Sequence, residues 1–260
     1  MQREESRVLI IGAGPAGATA SLFLAKMGIE HVILDAADFP RDKVCGDGLD
    51  LKVIRVLRHV DPQIVEQELP EDQDFLPSYG TRFINPKGKK LDFRYSQPLF
   101  WTAKRTSFDN FLIKKLNPAF ADFRPGVKVE EIIRDGVEWR IKAKKGAVEL
   151  EFRSKMILAA DGEQSVMLRH LGERGIDRRH YAATLRQYWT GVKGLDAQNL
   201  IEVYFPPALP LSYFYLFPLR GQEVNVGYGM VSEVISKKKL NLRELFNNLI
   251  LNDPYLAPRF

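Results

Sequence analysis

The chain reads as an α/β protein: a Rossmann-like, three-layer domain with a parallel sheet plus a β-meander, joined to an antiparallel β-sheet domain. Three observations predict this. Residues 7–35, RVLIIGAGPAGATASLFLAKMGIEHVILD, run strand, glycine turn, helix, strand, in the order of a dinucleotide-binding βαβ unit. Residues 127–153 alternate apolar and polar positions around two turn dipeptides, Asp135-Gly136 and Lys145-Gly146. From Tyr181 onward, short aromatic-rich runs of strand character replace the helical spacing.

The opening stretch carries the most chemistry. Val8 to Ile11 is an apolar run suited to a buried parallel strand. Gly12, Gly14 and Gly17 follow in G-x-G-x-x-G spacing. Gly12 permits the tight turn, Gly14 lets a pyrophosphate approach the backbone, and Gly17 lets the helix lie close on the strand. Pro15 and Ala16 open that helix, which runs to Met27 and is stopped by Gly28. Its N-terminus presents free N–H groups and a positive dipole end to phosphates. Val32 to Leu34 is the second strand, and Asp35 at its end can accept hydrogen bonds from a ribose diol while disfavouring a 2′-phosphate.

Composition narrows the class. The 260 residues are 45% hydrophobic and 27% charged, enough for a sizeable core. The net charge of +5 is mild and its basic residues are dispersed, which argues against nucleic acid as a partner. The four histidines show no metal-ligand spacing, so no metal is expected. Cys45 is the only cysteine and MQREESR is no signal peptide, so a cytoplasmic location is expected. Lys237 to Lys239 is a solvated turn or helix start, with weak peripheral contact at an anionic membrane as the alternative.

The remaining elements follow in order. Residues 35–50 form a loop punctuated by Pro40, Gly46 and Gly48, with Arg41 and Lys43 bringing positive charge beside the second strand. Leu51 to Val60 has helical spacing. Glu66 to Asp74 reads as an acidic loop, and Phe75 to Leu99 as short strands around an Asn85-Pro86-Lys87-Gly88 turn. Arg105 precedes a helix spanning Ser107 to Leu116; there it can hold a phosphate or simply face solvent. After the meander, Met156 to Ala160 is a further buried-type strand ending in Asp161-Gly162, then a helix over Gln164 to Leu171. Strands are expected over 182–192, 200–205, 213–218 and 224–230, and an amphipathic helix over 240–251. The domains are accordingly drawn as 1–74 with 100–175, 75–99 with 176–235, and a helical segment 236–260.

Four motifs carry a family resemblance: Gly12-Ala-Gly-Pro-Ala-Gly17; Pro40-Arg-Asp-Lys-Val-Cys-Gly46; Ala159-Ala-Asp-Gly162 followed by Ser165; and Pro210-Leu-Ser-Tyr213-Phe-Tyr215-Leu-Phe217-Pro218 leading to Gly227-Tyr-Gly229. With them the chain resembles the FAD-dependent geranylgeranyl reductases, within the aromatic-hydroxylase-like flavoproteins. The resemblance implies FAD as cofactor, its pyrophosphate on the Gly12 loop and its adenosine ribose at Asp35. It places Ala36, Arg41, Lys43, Arg105, Val129, Asp161 and Gly162 around the cofactor, and Cys45-Gly46 beside the isoalloxazine ring. It gives Tyr213, Tyr215, Phe217, Pro218, Gly227 and Gly229 to the substrate, with Cys45, Tyr213 and Tyr215 as catalytic candidates.

Three departures stand out. Tyr215 replaces the tryptophan of the family signature. Leu168 stands where the hydroxylase motif has arginine. The family's Gly-Asp-Ala-Ala-type segment is absent, falling in relatives beyond the point at which this chain ends, so a longer protein is expected. The activity implied is reduction of C=C bonds in a polyprenyl chain, with a prenyl lipid or prenyl diphosphate as substrate and NAD(P)H or ferredoxin as electron donor. Alternatives are a flavin monooxygenase or halogenase, although neither tryptophan of the halogenase W-x-W-x-I-P is present, and a non-catalytic flavin-binding remnant.

Overall fold

A computed structural model describes residues 2–173, 175, 177–207 and 211–260. Pro210, the first residue of the fourth motif, lies outside them. The chain forms two compact units, Met1–Lys43 with Arg105–Gly175 and Val44–Lys104 with Ile176–Phe260.

The first unit is built on a six-stranded mixed sheet. Its strand order is Ala121–Arg124, His31–Leu34, Gln2–Ile11, Val148–Ala159, Glu138–Lys145, Lys128–Asp135. The first four are parallel and the last three form the antiparallel meander. The sheet differs from expectation in two places. The opening strand starts at Gln2 because residues 2–6 pair in register with Leu150 to Ser154; pairing, not burial, extends it. The meander's third strand and the strand expected over Met156 to Ala160 are one element, Val148–Ala159, held by the meander on one edge and the opening strand on the other. Both sheet faces are covered near the glycine turn. Leu9, Ile11, Val32, Leu34 and Phe152 pack on one side, and Ile10, Ile33, Leu24 and Phe123 on the other.

The helix Pro15–Lys26 starts with proline at its first turn and buries Gly17, Ala18, Ser21 and Leu22. The helix Arg105–Lys114 packs against it and buries Phe108, Asp109 and Leu112. The helix expected over Gln164 to Leu171 is shorter, Val166–His170, with Ser165 as N-cap accepting from the Leu168 N–H.

Residues 44–74 and 100–104, expected with the first domain, belong to the second unit, as does 236–260. Its six-stranded sheet runs Ala182–Thr190, Glu223–Val231, Ser212–Pro218, Ile201–Tyr204, Gly80–Ile84, Lys90–Arg94. The sheet is antiparallel except where Ile201–Tyr204 runs parallel to Gly80–Ile84. One face buries Phe214, Leu216, Val226 and Tyr228 against Phe246, Leu249 and Ile250 of the helix Leu242–Asn252. A small sheet, Gly48–Leu49, Phe100–Thr102, Leu76–Ser78, completes the unit.

The acidic loop expected over Glu66 to Asp74 is partly helical: a π-helical turn Ile64–Glu68 and a short helix Leu69–Glu71 form because Ile64, Val65 and Leu69 are buried. Lys237 and Lys238 end a helix, Ser232–Lys238, rather than start one, and cations suit that negative dipole end. No helix among the described residues is long and apolar enough to cross a membrane.

Candidate functional site

In the first unit a cleft of about 600 Å³ opens over the glycine turn. Gly12, Gly14, Pro15, Ala16, Asp35, Ala36, Arg41, Lys43, Arg105, Val129, Asp161 and Gly162 line it. Gly17 lies behind it, buried, where a Cβ would collide with the Gly12 carbonyl oxygen. Gly12 adopts φ +94, and a Cβ there would strike the Ala160 carbonyl. These two contacts set how closely helix meets sheet.

Gly14 is different. Its φ of −64 suits any residue, and the nearest atoms to a Cβ would be Arg41 Nη2 at 3.3 Å and Arg105 Nη2 at 4.0 Å. The helix N-terminus therefore opens onto two guanidinium groups. Both are held by one carboxylate. Asp109, fully buried, accepts from Arg105 Nε at 2.6 Å and Nη2 at 2.7 Å, and its Oδ2 lies 2.9 Å from Arg41 Nη1. That last contact is an ion pair without hydrogen-bond geometry, so Arg41 Nη1 is buried and keeps a donor unused. The two guanidiniums stand beside a helix N-terminus, and Lys43, Lys128 and Arg169 line the same cleft, the chemistry of a pyrophosphate site. The residues present thus fit a dinucleotide.

Asp35 and Asp161 have further tasks. Asp35 accepts from the Ala13 N–H with one oxygen and the Ala37 N–H with the other, both at 2.8 Å, so it fastens the glycine turn to the second strand. Each carboxylate oxygen keeps a second lone pair for a ribose hydroxyl. Asp161 accepts from the Val166 N–H at 2.7 Å and so orders the turn after the fourth parallel strand. Lys128, Gln164 and Arg169 also line the cleft.

Cys45 and Gly46 are not in this cleft; they belong to the second unit. There the segment 45–48 is fixed to the sheet. The Cys45 carbonyl accepts from Asn225 Nδ2 at 2.8 Å, and Gly46 and Gly48 lie against the Phe217 ring, 3.2 and 2.9 Å from where a Cβ would stand. Asp47, buried and left-handed at φ 62, accepts from the Tyr188 hydroxyl at 2.6 Å and Asn225 Nδ2 at 2.8 Å. Arg186 and Lys104 sit over the Tyr188 ring at 4.2 and 4.8 Å.

Tyr213, Tyr215 and Phe217 share one face of their strand, with successive ring centroids 6.3 and 4.9 Å apart. Gly229 and Gly227 are their cross-strand partners, Tyr213 opposite Gly229 and Tyr215 opposite Gly227. A Cβ at Gly227 would enter the Tyr215 ring, and one at Gly229 would come within 2.9 Å of Tyr213. The two glycines, expected to face substrate themselves, are instead the buried floor beneath the tyrosines. Tyr215 is 5% exposed and wedged between its neighbours. Burial, reinforced by Cys45, Asp47 and Tyr213, pushes its hydroxyl well above the usual tyrosine pKa. Pro218 is buried, and its carbonyl accepts from the Thr102 hydroxyl at 2.5 Å.

Sequence reasoning missed Asp109 as an organiser, and it missed Asp47, Asn225 and Tyr188 as a cluster. Asp109 had a legible signal, its i,i+4 spacing from Arg105. The Asp47 cluster had none, since its members are 141 and 178 residues apart.

Comparison with known proteins bears on both units. The FAD binding domain family matches residues 5–224. A digeranylgeranylglycerophospholipid reductase of Methanococcus vannielii is 27% identical, over 98% of this chain and 62% of that protein. A menaquinone reductase of Mycobacterium tuberculosis is 28% identical, over 94% of this chain and 60% of that protein. The chain thus spans about 60% of the length of these curated relatives. The solved structure of a geranylgeranyl bacteriochlorophyll reductase-like protein from Thermoplasma acidophilum has the same fold, with TM-score 0.83 and 24% identity over 98% of this chain and 64% of that one. With a matched segment that takes in both the glycine turn and the aromatic strand, the chain belongs to the FAD-binding-domain family, and FAD is its cofactor.

Proposed function

We propose that this protein is an FAD-dependent reductase of C=C bonds in a polyprenyl chain. The observation that carries the reading is the aromatic ladder Tyr213–Tyr215–Phe217 laid over a glycine floor, in a chain whose other unit holds a cationic dinucleotide cleft. The reductases among its relatives support it.

In this reading Asp109 aims Arg41 and Arg105 at the cofactor's pyrophosphate, the helix N-terminus at Gly14 supplies N–H donors, and Asp35 receives the adenosine ribose. When bound, reduced FAD supplies a hydride for one carbon of the double bond. The aromatic face excludes water and holds the apolar chain. The second carbon needs a proton. Tyr215, at the centre of the ladder, is the donor we assign, with solvent returning its proton after each turnover. NAD(P)H or ferredoxin would then replace the electrons.

The test is anaerobic incubation of the FAD-loaded protein with dithionite and a geranylgeranyl lipid, with mass spectrometry of the product. The expected product has gained the mass of two hydrogens per reduced bond. An FAD-loaded protein that leaves the lipid unchanged but hydroxylates or halogenates an aromatic substrate in air would overturn the reading. Tyr215→Phe keeps the ring and removes the proton donor. An unchanged rate in that variant would take the proton step away from Tyr215.

A further inference from the structure

The strand Lys90–Arg94 is the last of the second unit's sheet, paired on one edge with Gly80–Ile84 and on the other with no strand among the described residues. Its alternation separates two chemistries. Asp92 and Arg94 belong to an ionic cluster: Arg82 binds Asp92 through two hydrogen bonds of 2.7 and 2.8 Å and reaches Asp196 at 3.0 Å, and Arg94 binds both acids. Leu91 and Phe93 fall on the opposite face, with Leu91 directly across from Phe83. Phe83 packs edge-on to Phe93 at 6.0 Å and stacked with Phe205 at 6.5 Å.

These apolar side chains face water. Leu91 is 57% exposed, Phe93 47%, Phe205 40% and Phe83 37%. An aromatic cluster on an edge strand is an aggregation hazard unless something covers it. The connecting turn is ordered, with Asn85 Oδ1 accepting from the Lys87 and Lys89 N–H groups. From Phe83 to Leu91 the chain carries Lys87, Lys89 and Lys90 and no acid, and all three lysines are exposed.

We propose that this hairpin docks the protein on an anionic phospholipid surface. Phe83, Leu91, Phe93 and Phe205 enter the interfacial layer, and Lys87 and Lys89 meet the headgroups. Charge complementarity selects this occupant. A second copy added antiparallel at the same edge, centred on Asp92, would set Asp92 against Asp92 and Lys90 against Arg94, like charge against like, and an edge lysine opposes strand addition. A bilayer interface instead takes aromatic and aliphatic side chains in any register and attracts the flanking lysines. The proposal goes beyond the reductase reading and does not need FAD or catalysis.

The experiment is co-sedimentation of the protein with phosphatidylcholine vesicles, with and without phosphatidylglycerol. Binding is expected to the anionic vesicles, falling as salt rises. Lys87→Gln with Lys89→Gln should weaken it roughly 30-fold, at about 1 kcal/mol per lysine. The matched control, Lys237→Gln with Lys238→Gln, should leave it near wild type. Leu91→Ser with Phe93→Ser changes only exposed side chains and should also release the protein. Phe93→Trp reads the contact directly: its emission should shift to the blue with anionic vesicles and be quenched by brominated lipid. No binding to anionic vesicles, equal loss in the control, or an unshifted tryptophan would each overturn the proposal. A wild-type dimer that the Leu91, Phe93 variant converts to monomer, without vesicle binding by either, would assign the face to a second copy instead.

Discussion

Gly14 and Asp109 show how much a single residue decides in this cleft. At Gly14 the backbone is ordinary, so its lack of a side chain serves only the space above it. Gly14→Val would put branched carbon where Arg41 and a pyrophosphate must both lie. The variant is expected to fold and to purify without the yellow flavin spectrum; full FAD content would contradict this. Asp109→Ala removes a carboxylate that Arg41 and Arg105 share. Breaking a buried ion pair by removing one member costs about 3–5 kcal/mol. Urea unfolding should show that loss, and titration with FAD should show affinity weakened roughly tenfold or more, since charge-assisted hydrogen bonds contribute about 1.5–3 kcal/mol. Wild-type affinity in a folded variant would mean that the arginines do not depend on Asp109.

At the scale of elements, the aromatic strand and its glycine partner form one packing unit. Tyr215 covers Gly227 and Tyr213 covers Gly229 because small residues on one strand make room for rings on the next. Gly227→Ala is therefore expected to destabilise by about 1–3 kcal/mol through overpacking. Tyr215→Trp should do the same, with a lower melting temperature and an unchanged ratio of rates on farnesyl and geranylgeranyl substrates. A changed ratio with unchanged melting temperature would show that the ring has room in which to select chain length. The glycine turn is the other such unit. Its sequence specifies the strand, turn and helix because they are contiguous and Gly17 must pass close to the Gly12 carbonyl, while the distant Ala160 carbonyl adds the second demand for glycine at Gly12.

At the scale of the whole molecule, linkage and charge become measurable. FAD present at about a hundred times its Kd should stabilise the state that binds it by about 2.7 kcal/mol. In a chain of two units that gain belongs to the transition of the FAD-binding one, and a melt that moves only in part is the expected signature. The second unit carries the acid-sensitive network. Hydrogen bonding by Arg82 lowers Asp92 from 3.8 to about 2. A carboxylate whose folded pKa lies below its unfolded one adds stability above the unfolded pKa and loses it as pH falls through the folded one. The network should therefore be intact above about pH 4, with on the order of 2 kcal/mol lost by about pH 2. Asp92→Asn should flatten that dependence; an identical acid profile in the variant would show that Asp92 does not report the network.

By itself the sequence determined what is local. The fingerprint from Arg7 to Asp35, the meander turns and the alternation of Tyr213, Tyr215 and Phe217 follow from backbone periodicity and turn chemistry, which act over a few residues. Pairing between distant segments lay beyond it. That Val148–Ala159 is one strand depended on the partner along its whole length, and Ile64 to Glu71 became helical because tertiary burial rewarded three apolar side chains. Only the tertiary structure decided that residues 44–74 belong with the second unit, where Asn225 and Phe217 hold the 45–48 segment. It alone brought Asp47 to Tyr188 and Asn225, and it turned Gly227 and Gly229 from presumed binding positions into the floor under two rings. Those relations join residues far apart in the chain, and no local preference encodes which distant side chain will fill a given space.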